Sequence, residues 1–132
     1  MISTKKRLIL LDSCILMLPA EKKVNLGQLE TLPFSLKVVI PEVVIKELQN
    51  LINNGKSAVQ KKAKLALSIA QKYEILPSKT EEHTDDELIR LAKQYNGIVA
   101  TTDVNLRKRL HKEGILCITL VGKKQLKLVG EI

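Results

Sequence analysis

The sequence predicts an α/β fold, a three-layer sandwich with helices on both faces of a central, mainly parallel sheet. Three observations carry this expectation. Short apolar runs recur along the chain, they are continuous and not alternating, and most are followed by a stretch whose apolar residues fall at helical spacing. A run apolar throughout suits a strand covered on both faces, and strand–helix alternation is the arrangement that parallel sheets require. With 132 residues the chain is expected to form a single domain over 1–132, with a core that needs no disulfide or zinc.

The first strand is Arg7-Leu-Ile-Leu-Leu11, ending at Asp12. A second, Lys37-Val-Val-Ile40, is closed by Pro41, which suits a first helical turn. Val43, Val44, Glu47, Leu48 and Leu51 mark one face of the helix that follows, and Asn53-Asn-Gly55 stops it. Val59, Ala63, Ala66, Leu67 and Ala70 define a helix over 57–73, with Lys61, Lys62 and Lys64 among its solvent positions. Glu74-Ile-Leu-Pro77 is a short strand. Thr84-Asp-Asp-Glu87 reads as a capping box opening a helix with Leu88, Leu91, Ala92 and Tyr95 on its inner face, ended by Asn96-Gly97. A strand over 97–101, a short helix from Asp103 to His111, a strand over 114–121 and an edge strand over 125–129 complete the chain.

Composition narrows the function. Lys and Arg number 22 against 14 Asp and Glu, a net charge of +8, which suggests a polyanionic partner. Aromatic residues are only 2% (Phe34, Tyr73 and Tyr95, with no Trp), so stacking bases on a ring platform is excluded and any nucleic acid would be held by its phosphates. Tyr73 and Tyr95 read as core. Apolar residues at 45% and charged residues at 27% exclude a disordered chain. No apolar run approaches the ~18–20 residues of a membrane span, and the N-terminal run lacks the form of a secretory signal. Cys14 and Cys117 read as buried free thiols of a reducing compartment. A cytoplasmic protein with no membrane partner is the expectation.

Four acidic sites do not read as solvated surface. Asp12 and Asp103 each follow a strand, Asp85-Asp86 opens a helix just before its apolar stripe, and Glu47 lies among the apolar residues of its helix. The carboxyl ends of parallel strands and the adjoining helix N-termini share one edge, the edge where ligands bind. Capping accounts for Asp12, Asp85 or Asp103 taken singly. It does not account for Glu47, nor for acids gathered on one edge of a basic protein. Two carboxylates ~5 Å apart repel by ~3 kcal/mol at an effective dielectric of ~20, so such a cluster needs protonation or a cation. Oxygen ligands without neighbouring Cys or His pairs point to Mg²⁺ or Mn²⁺, which equips a site for phosphodiester hydrolysis. No Ser/His/Asp arrangement, zinc spacing or phosphate-cradling glycine loop is present, and His83 and His111 read as exposed residues at helix ends.

Leu10-Leu11-Asp12-Ser13, Pro41-Glu-Val-Val-Ile-Lys-Glu47-Leu48, Asp85-Asp86-Glu-Leu-Ile and Val99-Ala-Thr101-Thr102-Asp103 together resemble, in order and spacing, the motifs of PIN-domain ribonucleases. Val99 to Leu110 is most similar to the archaeal single-domain branch, related to ribosomal-RNA processing endonucleases. The resemblance implies a PIN-like fold and a metal-dependent endoribonuclease in which Asp12, Glu47, Asp86 and Asp103 hold one or two Mg²⁺ or Mn²⁺ ions. It assigns supporting roles to Ser13 and Thr101, favours Asp86 over Asp85 as the third acid, and leaves Asp85 to cap its helix or assist. It also implies RNA as partner, single-stranded or structured ribosomal or transfer RNA, with a homodimer, an antitoxin or a ribosome-assembly factor as further candidates. Alternatives are a non-catalytic RNA-binding or ribosome-assembly protein, and the toxin ribonuclease of a toxin–antitoxin pair. Cys14 and Asn105 depart from the pattern at positions where the family often has Asn or Ser and a further acid, respectively; the second departure weakens the case for a second ion. Arg107, Lys108 and Arg109 lie beside the acid edge and, with Lys22, Lys23 and Lys56, are the candidate phosphate contacts. Lys123, Lys124 and Lys127 read as solubilising.

Overall fold

The computed structural model describes residues 6–32 and 35–129. Strands β1 (Arg7–Leu11), β2 (Leu36–Pro41), β3 (Glu74–Leu76), β4 (Ile98–Ala100), β5 (Cys117–Val121) and β6 (Gln125–Leu128) form one sheet in the order β3-β2-β1-β4-β5-β6. Every pairing is parallel except that of β6, which returns antiparallel along β5 after a turn through Gly122 at φ 70°. Ile9 stands between Val38 of β2 and Ile98 of β4, so β1 is the central strand. Its side chains explain why the run is unbroken: Ile9, Leu10 and Leu11 are all fully buried.

Helices α1 (Ser13–Leu16), α2 (Leu18–Lys22), α3 (Glu42–Asn54), α4 (Ser57–Ala70), α5 (Thr84–Tyr95) and α6 (Val104–Lys112) fill the connections. The chain steps from β1 outward to β2 and β3, then crosses back to β4 and β5 on the other side of β1. Right-handed crossovers therefore lay α1 to α4 on one face and α5 and α6 on the other, giving three layers. The same reversal makes the carboxyl end of β1 the switch point of the sheet, where a crevice opens between helices leaving in opposite senses.

Several local expectations are revised. Between β1 and β2 the chain forms two short helices and a 3₁₀ turn over Leu26–Thr31, with Lys23 at φ 55° ending α2. β5 starts at Cys117, not at residue 114, because Gly114 at φ 72° turns the chain out of α6 and Ile115 and Leu116 serve as connector. Asn96, at φ 53°, takes the left-handed position that ends α5. Gly97 matters for space instead: a Cβ there would lie 2.7 Å from Leu10 Cδ1. The capping box at Thr84 does not form. His83 occupies the cap position without a side-chain bond, and Glu87 turns inward, 1% exposed. Tyr95 is 42% exposed and is not core.

α3 shows how distant residues complete an element. Its cap residue Pro41 has no side chain to offer. Ser78, in the β3–α5 loop, supplies the acceptor: Val43 N donates to Ser78 Oγ at 2.9 Å, and Ser78 N donates to Glu42 Oε1 at 2.9 Å. The exchange satisfies helix-end groups that local sequence leaves open, and it ties the loop leading to His83 and the start of α5 to the helix carrying Glu47.

Candidate active site

Asp12 is placed by the end of β1. Its backbone N–H donates to Ala100 O at 3.0 Å, so it stands level with the last residue of β4. Its side chain is 6% exposed and is held from several sides. Ser13 N donates to Oδ1 at 2.8 Å, the Thr101 hydroxyl donates to Oδ2 at 2.7 Å, and the Cys14 thiol approaches Oδ2 at 3.4 Å. No cation is paired with it among the described residues. Burial pushes its pKa up to about 6, with Glu47 adding to the rise and the bonds from Thr101, Ser13 and Cys14 opposing it.

Thr101 links two acids. Fully buried at the end of β4, it donates to Asp12 and accepts from Asp103 N at 3.1 Å. Asp103 then caps α6, its Oδ1 accepting from Asn105 N at 2.8 Å and Leu106 N at 3.2 Å. Glu47 enters from α3 on the other side. Its Oε1 is buried and has no hydrogen-bond partner, an uncommon condition for an interior carboxylate oxygen. The Cys14 thiol accepts from Thr102 N at 3.3 Å, and burial followed by the Asp12 charge pushes its pKa up to about 11. It is therefore a packing and hydrogen-bonding group, not a nucleophile.

The two acids opening α5 stand in different surroundings, and both line the cleft. Asp86 is exposed, and its Oδ1 accepts from Arg109 Nη2 at 2.7 Å. Asp85 is partly buried: burial raises its pKa, Asp103 adds to the rise and Arg109 opposes it. The rotation of α5 decides this, and Glu87 fixes that rotation. Its carboxylate accepts from Arg90 Nε at 2.7 Å, Arg90 Nη2 at 2.6 Å and Lys79 N at 2.7 Å. Asp85 caps nothing in α5.

Glu47, His83, Thr84, Asp85, Asp86 and Arg109 line one open cleft of about 350 Å³. Asp12 feels the charge of Glu47, and Asp85 that of Asp103. Among the described residues no three His, Cys, Asp or Glu side chains converge as a ready-made ligand set for one ion. Of the basic run only Arg109 reaches the acids. Lys108 is exposed, and Arg107 is partly buried, with Nε unbonded and its charge acting on buried Cys117. Lys56 lies beyond the end of α3, whose last residue, Asn54, is ~10 Å along the helix axis from Glu47. Lys22 and Lys23 close α2, which packs on α4.

Carboxylates gathered at the switch point of a mainly parallel sheet, with helices on both faces, define an α/β protein with an acidic edge. The chain belongs to the PIN-like domain family, whose model matches residues 9–123. It is 29% identical to ribonuclease VapC9 of Archaeoglobus fulgidus over 114 residues, covering 86% of this chain and 82% of the relative. Among solved structures it is similar to the PIN domain endonuclease Utp24, with a TM-score of 0.75, 25% identity, and coverage of 95% and 92% of the two chains. The fold also matches a domain of a functionally unknown protein from Methanocaldococcus jannaschii at TM-score 0.67, with 18% identity and 93% and 98% coverage. VapBC2 from Rickettsia felis, solved bound to a promoter DNA fragment, matches at TM-score 0.57, with 18% identity and 86% and 99% coverage.

Proposed function

We propose that this protein is an endoribonuclease that hydrolyses RNA with the help of Mg²⁺ or Mn²⁺ held at the acid edge. The observation that carries the reading is a buried carboxylate without a cation: Asp12, its pKa pushed to about 6, beside Glu47, whose Oε1 is buried and unbonded. The relatives named as a ribonuclease and an endonuclease support the same chemistry.

The residues fit a hard cation by donor type, since every candidate ligand is a carboxylate oxygen. Asp12, Glu47 and Asp103 would hold it, with Asp85 alongside. When bound, the ion lowers the pKa of a coordinated water and neutralises charge on the attacked phosphate. The chain's own groups do the rest. Ser13 N and the Thr101 hydroxyl fix the Asp12 carboxylate, and Thr101 also ties Asp12 to Asp103. Asp86 orients Arg109 across the cleft, where a guanidinium suits an RNA phosphate.

The test is labelled structured RNA incubated with and without Mn²⁺, read for product size and end chemistry, using wild type, Asp12→Asn and Asp103→Asn. Cutting that needs Mn²⁺ and is lost in both variants is the expected result. Undiminished cutting by both variants, in protein freed of host nuclease, overturns the proposal. The relatedness to processing endonucleases favours a housekeeping task on ribosomal or transfer RNA. The likeness to VapC9 supports a toxin reading beside it, which expression in a host without an antitoxin separates by growth arrest.

A further inference from the structure

The basic charge of this protein is not spread evenly. From Leu48 to Tyr73 the chain has 26 residues without one acid and with five lysines, Lys56, Lys61, Lys62, Lys64 and Lys72. This segment includes all of α4, whose inner residues Ala63, Ala66 and Ala70 are fully buried. Its outer face therefore carries Ser57, Lys61, Lys64 and Ser68, and Lys72 stands in the turn that follows the helix, all exposed. A second stretch of chain joins it: Lys62 Nζ lies 3.8 Å from Glu21 Oε2, which brings the end of α2, with exposed Lys22 and Lys23, beside the middle of α4. Among the described residues none of Lys22, Lys23, Lys56, Lys61, Lys64 or Lys72 is in an ion pair. The clefts along α3 and α5, by contrast, are lined by Glu42, Glu47, Glu81, Glu82, Asp85 and Asp86.

We propose that the outer face of α4 together with Lys22 and Lys23 is a docking surface for the backbone of a double-helical RNA arm, separate from the acid cleft. This deepens the nuclease reading, on which the choice of RNA rests, by assigning the substrate class: a structured RNA with a stem. Ser57 to Ser68 runs ~16 Å along the helix axis, the length of roughly five phosphates on one strand of a duplex. Duplex RNA is recognised by shape and phosphates, which a chain with 2% aromatic residues can do. A membrane surface fits less well, because the apolar side of α4 is packed inside the protein and Leu65 is the lone large apolar residue exposed on that helix.

The experiment measures binding by fluorescence anisotropy in EDTA, where no divalent-dependent cutting occurs, against a long-stem RNA hairpin and a short single-stranded oligonucleotide. Two triple variants carry the same charge change: Lys61→Glu/Lys64→Glu/Lys72→Glu, and, on the β5–β6 hairpin, Lys123→Glu/Lys124→Glu/Lys127→Glu. Circular dichroism melts confirm that both fold. The α4 variant should bind the hairpin at least ~10-fold more weakly, with a salt slope shallower by roughly 0.9 per lysine lost. Its affinity for the oligonucleotide should change little, and the β-hairpin variant should keep most of the hairpin affinity. Equal weakening by both variants, equal loss for hairpin and oligonucleotide, or no loss in a folded α4 variant overturns the proposal. So does binding to phosphatidylserine vesicles that equals binding to the hairpin and is lost with it. Stem binding through α4 by a protein that never cuts would leave this surface standing and remove the nuclease reading.

Discussion

Asp12 and Glu87 are both buried carboxylates, 6% and 1% exposed, yet they stand in opposite electrostatic conditions. Glu87 is met by the Arg90 guanidinium and by Lys79 N, and these bonds hold its pKa below the usual glutamate range. Asp12 is met by a hydroxyl, an amide and a thiol, with another acid behind it, and its pKa is pushed up. A buried charge kept for structure is neutralised by the protein itself. One left without a counter-charge destabilises the fold unless something from outside supplies it, and strained sites of this kind cluster where function lies.

The comparison can be broken most sharply at Asp12. Loss of groups that merely support a metal ligand costs ~10–100-fold in affinity or activity, so Asp12→Asn should cost more than ~100-fold in the cleavage rate at saturating Mn²⁺. Thr101→Val, close in shape but without the hydroxyl that bridges Asp12 and Asp103, should fall in that ~10–100-fold range, read in the same assay.

Stability should then move in opposite directions at the two carboxylates. Asp12 has a folded-state pKa raised from the ordinary 3.8 to about 6, so the stability from its proton is full below 3.8 and is lost as pH rises through 6. Metal-free protein should accordingly gain from Asp12 as pH falls from 7.5 toward 5. At pH 7.5 Asp12→Asn should stabilise it by ~1–3 kcal/mol in urea titrations. Glu87 has a lowered pKa, so its contribution is present above the usual glutamate range and is lost only as pH falls through the lowered value. Arg90→Ala should lower Tm at pH 7.5. A Tm that falls in both variants would erase the contrast. The smallest effect belongs to the loop that joins the two sides: Ser78→Ala removes the acceptor for Val43 N and should cost ~1 kcal/mol, largely restored by Ser78→Thr.

These cases also show what a linear reading of the chain can reach. Asp12 and Asp103 could be placed on one edge because each follows a buried parallel strand, and strand direction alone fixes that end. Glu47 was legible as an acid out of place on an apolar helix face. The different surroundings of Asp85 and Asp86 were not legible, since one residue on a helix is a 100° rotation and the bonds of Glu87 to Arg90 and Lys79 form only in the fold. Glu87 itself was misread as half of a capping box, a local pattern overridden by a tertiary partner. The Ser78 cap of α3 lies 35 residues from the Val43 amide it accepts from and has no local signal. Lys22, Lys23 and Lys56 carry charges visible at once in the sequence. Their neighbours, however, depend on α2 packing against α4 and on the length of α3.

The central claim, that Asp12 is a buried charge awaiting an external cation, is tested most directly by carbon-13 NMR titration of the Asp12 carboxyl with and without millimolar Mg²⁺. The account predicts a midpoint at about 6 in the metal-free protein and a shift to below ~4 when Mg²⁺ is present. A midpoint that Mg²⁺ leaves in place, or one already in the ordinary aspartate range without it, would contradict the account.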